Sequence, residues 1–194
     1  MNEAAYKKMR AARIALLLNE PFFGALATRL TLVENYSVKT LRTNAVTIDY
    51  NPDYVNTLSH DVCMSAICHE VLHVANGHAW RRDAREPKQW NVACDYAINP
   101  ILAASGFKLG EGWLRAAQFD GMSAEQIFSM LPQQDEGEDG DEDDVAERGG
   151  ERGILIAPPP LAVDDDDDCV SRDIGIINWI GCLVRQTGGF PCFC

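Results

Sequence analysis

Apolar side chains recur at helical spacing from Glu3 to Asn19, with basic residues between them and Pro21 just beyond, and this predicts an amphipathic first helix. Residues 30–34 and 45–50 instead have the β-branched, alternating character of short strands, the second closed by the turn pair Asn51-Pro52. A small sheet early in the chain follows. From about Asp53 the pattern is helical again: Val62, Ala66, Cys68, Leu72 and Ala75 predict a largely buried helix ending near Asn76-Gly77. Another helix is expected from Pro87, a residue suited to a first helical turn, through Trp90, Ala93, Cys94, Ala97 and Ile98, with Pro100 interrupting or restarting it. Ser123 is placed to cap a short helix that runs to about Leu131, before Pro132.

Beyond that point the pattern fails. Residues 133–153 are dominated by Asp, Glu and Gly, and residues 157–168 combine a proline triplet with five consecutive aspartates. Such a stretch buries too little apolar surface to offset its ordering entropy. The expected organisation is one folded domain over residues 1–132 and an acidic, disordered tail over 133–194. Charge sharpens this division: residues 1–134 hold 13 acidic and 13 basic side chains, whereas residues 135–194 hold 16 acidic against 4 basic, so the net charge of -12 belongs to the tail. A neutral folded part beside an acidic tail argues against nucleic-acid binding. No apolar stretch approaches the roughly 20 residues of a membrane span, and the first residues lack the apolar core of a signal peptide, so a cytoplasmic location is expected. Cys63, Cys68 and Cys94 fall in helical core positions and read as reduced, buried thiols, and Cys169, Cys182, Cys192 and Cys194 of the tail have no assigned role.

The chemistry concentrates in His69-Glu70-Val71-Leu72-His73. Histidines four apart on a helix project from nearly the same face and can grip one ion. In such a His-Glu-x-x-His string the imidazoles hold zinc, and the glutamate, not a ligand, takes a proton from water that the ion has acidified to a pKa of about 7. Glu70 is thus the candidate general base. With four histidines and twelve glutamates in the chain, random occurrences are expected on the order of 0.005 times, so the string is specific. Two surface histidines on an amphipathic helix would be the plain alternative, but an apolar helix would bury them at a cost without a metal. A di-iron carboxylate bundle would need a second Glu-x-x-His, and a zinc deaminase would need His-x-Glu with Pro-Cys-x-x-Cys; the chain has neither.

A catalytic zinc site takes a third protein ligand. Asp95, on the following helix, is the first candidate, with His78 the alternative, since five residues past His73 it lies on another helix face unless the chain turns at Gly77. Asn99, one turn after Asp95, is placed to hydrogen-bond and orient a ligating histidine; a solvated Asp95 and a capping Asn99 are the plain alternatives. Arg81, Arg82 and Arg85 could meet a substrate carboxylate, though an exposed charged loop explains them more simply, and His60 reads as a surface or capping histidine.

These blocks carry a resemblance. His69 to His78, followed by Trp90-Asn91-Val92-Ala93-Cys94-Asp95-Tyr96-Ala97-Ile98-Asn99, resembles the metallopeptidase domain of the DUF2201 family of bacterial and phage VWA-like proteins. Pro21-Phe22-Phe23-Gly24, Tyr50-Asn51-Pro52 and Gly121-Met122-Ser123-Ala124-Glu125-Gln126-Ile127 fit the same pattern, so the resemblance spans roughly residues 10–132. It implies a zincin-like α+β domain, mainly helical with a small β-sheet, and the spacing of Asp95 and Asn99 is similar to the Glu-x-x-x-Asp of gluzincins, with the shorter Asp in place of Glu. Family members often continue into a von Willebrand A-like domain with an Asp-x-Ser-x-Ser motif. This chain has no such motif, and its Cys-rich ending is expected to be a truncated or frame-shifted product, which the encoding DNA can refute. The function expected is zinc-dependent hydrolysis of a peptide or protein substrate; the alternative is a non-catalytic, regulatory module with a structural zinc closed by His69, His73, His78 and Asp95.

Overall fold

Ten of the sixteen residues of the helix His60–Ala75 are buried, including the run from Ser65 to His73 without a break. A helix covered on all sides must sit in the middle of its domain. The surrounding elements were traced in a computed structural model, described here over residues 1–132. Residues 133–194, on which the expected tail and the last four cysteines fall, lie outside the described residues.

The first helix, α1 (Glu3–Asn19), has the expected bounds; the Asn2 side chain accepts from Ala5 N–H as its cap, and Ala5, Met9, Ala12 and Leu16 form the buried stripe. A second helix, α2 (Pro21–Ala27), follows at once and was not expected from the pattern. Its proline occupies the first turn, where a missing N–H costs nothing. The two expected strands appear as β1 (Thr31–Glu34) and β3 (Thr47–Tyr50), each shorter than the sequence pattern. Between them lies an unexpected strand, β2 (Leu41–Thr43). The sheet order is β1-β3-β2, with β1 parallel and β2 antiparallel to β3. Arg42 stands opposite Asp49 in that register, and its guanidinium donates twice to Asp49 Oδ2, at 3.1 and 2.9 Å.

The helical stretch expected from Asp53 proves to be two helices, α3 (Pro52–Thr57) and α4 (His60–Ala75). Leu58 is extended and Ser59 caps α4 by accepting from Val62 N–H at 3.3 Å, so the chain restarts there. A single turn, α5 (His78–Arg81), follows Gly77. The next helix, α6 (Pro87–Ala104), is capped by the Glu86 side chain and continues through Pro100, where an interruption had been expected. A 3-10 turn (Ala117–Phe119) leads to α7 (Ala124–Met130), whose Ser123 and Gln126 form a reciprocal capping box. The whole is α+β, mainly helical with one small sheet among the described residues.

Helix α4 packs on α1, α2, α6 and β2, and α7 covers the far side of α6. Trp90, Ala93 and Cys94 of α6 meet Ala124, Ile127 and Phe119 there. Cys63, Cys68 and Cys94 are free and buried, as their core spacing implied. No helix among the described residues is long and apolar enough to cross a membrane.

Candidate metal centre

Two pairs of polar residues, each one helical turn apart, are buried face to face where α4 meets α6. His69 and His73 come from α4, Asp95 and Asn99 from α6, and none is more than 3 % exposed. Four polar side chains at that depth need partners, and they find them in one another. His69 Nε2 and His73 Nε2 lie 2.9 Å apart, and both approach Asp95 Oδ1, at 3.2 and 3.1 Å. The three atoms form a nearly equilateral triangle.

The outer ring nitrogens decide what that triangle can hold. Asn99 Nδ2 donates to Leu114 O at 2.8 Å, which turns its Oδ1 toward His69 Nδ1, 3.0 Å away. An amide oxygen only accepts, so His69 carries a proton on Nδ1, and in the neutral ring Nε2 is a lone pair. That lone pair faces the Asp95 carboxylate, an arrangement that requires a positive charge between them. A proton on the histidines supplies one answer. Burial alone would push the Asp95 carboxyl up, but the charge of His69 and hydrogen bonds from His69 and His73 outweigh it and hold Asp95 well below the usual carboxylate range. A divalent ion supplies the other: ligands about 2.1 Å from a tetrahedral centre stand about 3.4 Å apart. The observed separations fit that requirement with little adjustment.

His78 stands on the opposite side of His73. Gly77 adopts a left-handed conformation (φ 62°), which lets the chain turn and brings His78 back to place its Nδ1 3.1 Å from His73 Nδ1. Trp90 Nε1 donates to the His78 carbonyl at 2.8 Å. Burial, then the neighbouring His73 and Arg81 charges, push the His78 ring well below the ordinary histidine range and hold it neutral. Cys94 Sγ completes a second group with His73 and His78, their donor atoms all within 4.8 Å. Burial and then the Asp95 charge push the Cys94 thiol up, so it stays protonated.

Glu70 is 2 % exposed and belongs to neither group of converging donors. It lines a small pocket, partly open to solvent, with His69, Thr40, Leu41, Tyr54, Ala66 and Trp113. His69 thus belongs both to the triangle of donors and to the wall of the pocket that Glu70 lines.

The remaining candidates do not converge here. Arg81 forms a two-pronged pair with Glu125 of α7, at 2.9 and 2.6 Å, and Arg85 lies 5.0 Å over the Trp90 ring, so both serve packing between α5, α6 and α7. Arg82 is half-buried in the turn after α5, and His60 is exposed at the first residue of α4. Trp113, whose ring meets His69 edge-on at 5.2 Å, carried no sequence signal. The pocket wall from β2 was equally silent, because three residues are too few to show a period.

Against known proteins, the model of one family, DUF2201_N, described as "Putative metallopeptidase domain", matches residues 4–160. No curated protein and no solved structure matches the chain.

Proposed function

Since the chain belongs to the DUF2201_N metallopeptidase-domain family, we propose that it is a zinc-dependent peptidase of zincin type, with Glu70 as general base. His69, His73 and Asp95 would hold the ion through Nε2, Nε2 and Oδ1. When bound, zinc supplies Lewis acidity, making water a nucleophile near neutral pH and polarising a carbonyl. Glu70 accepts one proton from the attacking water at its carboxylate and passes it to the leaving amine nitrogen as the C–N bond breaks. Asn99 keeps His69 Nε2 directed at the shared point, and the apolar walls beside Glu70 limit access of bulk water. The observation that carries this reading is the separation of roles on one helix: His69 and His73 converge with Asp95, while the intervening Glu70 opens on the pocket.

Asp95 is preferred to His78 as third ligand because His78 meets the other nitrogen of His73. The depth of all the donors favours a second reading, in which a structural ion only fastens α4 to α6 in a non-catalytic, regulatory module. Glu70→Gln separates the two. The enzyme reading expects metal analysis to find zinc retained and cleavage of a mixed peptide library to drop about 10²–10⁴-fold. Cleavage surviving in that variant would reject Glu70 as the base, and a wild-type protein with zinc but no cleavage would favour the structural reading.

A further inference from the structure

We propose that His78 is a positioning residue for the metal centre, its Nδ1 accepting a hydrogen bond from His73 Nδ1–H and so keeping the lone pair of His73 on Nε2. The inference rests on the zinc reading above and concerns how the protein prepares the second histidine for it.

Each ligating imidazole has two nitrogens, and a proton on the wrong one blocks coordination. For His69 the choice is settled by an obligate acceptor, Asn99 Oδ1. At the outer nitrogen of His73 the group 3.1 Å away is another imidazole nitrogen, which can either give or take a hydrogen bond. If His78 Nδ1 gave, His73 would be protonated on Nε2, where His69 Nε2 and Asp95 Oδ1 already crowd within 2.9 and 3.1 Å. If His78 Nδ1 takes, all three inner atoms present lone pairs to one point. A bound cation selects the second arrangement, and His78 is the side chain that allows it.

The fold holds His78 for this task from two directions. Gly77 turns the chain in a conformation that residues with a Cβ seldom adopt, and a Cβ there would meet only ordinary contacts, at 3.7 Å or more, so the backbone angle rather than space requires glycine. Trp90, reaching over from α6, fixes the His78 carbonyl and sets its ring edge-on to the imidazole, with centroids 6.2 Å apart. The ring cannot swing away from His73 without giving up that edge-on contact.

The competing use of the same atoms is a second ion bound by His73, His78 and Cys94. It would require His73 to give up its single ring proton and Cys94 to ionise in a buried setting. One shared proton accounts for the 3.1 Å contact without either.

The test uses the full chain and Zn²⁺. His78→Phe removes the acceptor and keeps a ring; His78→Asn offers an amide oxygen near the place of Nδ1. Zinc affinity is expected to weaken about 10–100-fold in His78→Phe and to recover most of that loss in His78→Asn. In the zinc-loaded wild type, nitrogen-15 NMR should show His73 protonated on Nδ1 with a scalar coupling across the hydrogen bond to His78 Nδ1. Equal affinity in wild type and His78→Phe would overturn the proposal, as would a second zinc equivalent lost in both His78→Phe and Cys94→Ser. If the wild type bound no zinc, or kept it in Asp95→Ala, the failure would lie in the metal-centre reading instead.

Discussion

Gly110→Ala tests how the wall of the site is built. A Cβ at residue 110 would lie 2.3 Å from Trp113 Nε1 and 2.8 Å from Cδ1, whereas ordinary contacts begin near 3.4 Å, so the indole must move by about 1 Å. The indole is not free to do so cheaply, because it is 8 % exposed and packs edge-on against His69. Overpacking of this kind costs about 1–3 kcal/mol. Alanine also restricts the unfolded chain, and residue 110 has no positive φ to strain it, which returns about 0.4–1 kcal/mol. The net expectation is a loss of about 0–2.6 kcal/mol, or a fall in melting temperature of up to roughly 10 °C. The assay is a double-mutant cycle in urea or by thermal melt, with Trp113→Leu as the second change. Once the indole is gone the clash disappears while the unfolded-state effect remains, so Gly110→Ala should become neutral or stabilising in that background. Equal destabilisation with and without Trp113 would refute the contact as the cause.

Two other outcomes follow from the same contacts. Asn99→Ala leaves His69 Nδ1–H and Leu114 O without the amide that joins them; a stability loss of about 2–4 kcal/mol in chemical denaturation and a zinc affinity about 10–100-fold weaker are expected. Asp49 gives a pH dependence: burial would raise its carboxyl, but hydrogen bonds from Asn35, Arg42 and Thr47 outweigh that and hold it below the ordinary range. A folded pKa below the unfolded value of about 3.9 contributes stability that is present above that pH and is lost as pH falls toward the folded value. Wild type should therefore be more stable than Asp49→Asn at pH 6, with the gap closing below about pH 4 in denaturation curves; a gap constant across that window would contradict the assignment.

Much of the local structure was legible because it is decided by neighbours in sequence. The bounds of α1 follow from a capping Asn2, a 3.6-residue apolar stripe and Pro21; the start of α7 follows from Ser123 and Gln126. That His69 and His73 share a helix face needed only their spacing, and the same rule pairs Asp95 with Asn99. Where two local signals compete, the pattern misleads. The apolar period runs from α3 into α4 without a gap, yet the Ser59 cap breaks it, and Pro100 removes one hydrogen bond from a helix whose flanking Ile98 and Leu102 are buried and carry it through.

What spacing cannot convey is which face of one helix meets which face of another, because this depends on the packing of residues far apart in the chain. The sequence alone named His69, Glu70, His73, Asp95, Asn99 and His78 as a set. Only the tertiary structure put Asp95 against both Nε2 atoms and Asn99 against His69 Nδ1, turned His78 to the outer side of His73, and closed the pocket beside Glu70 with β2 and Trp113. A helical period orders side chains around one axis, whereas a ligand triangle needs two axes held at a fixed distance and angle by the core between them.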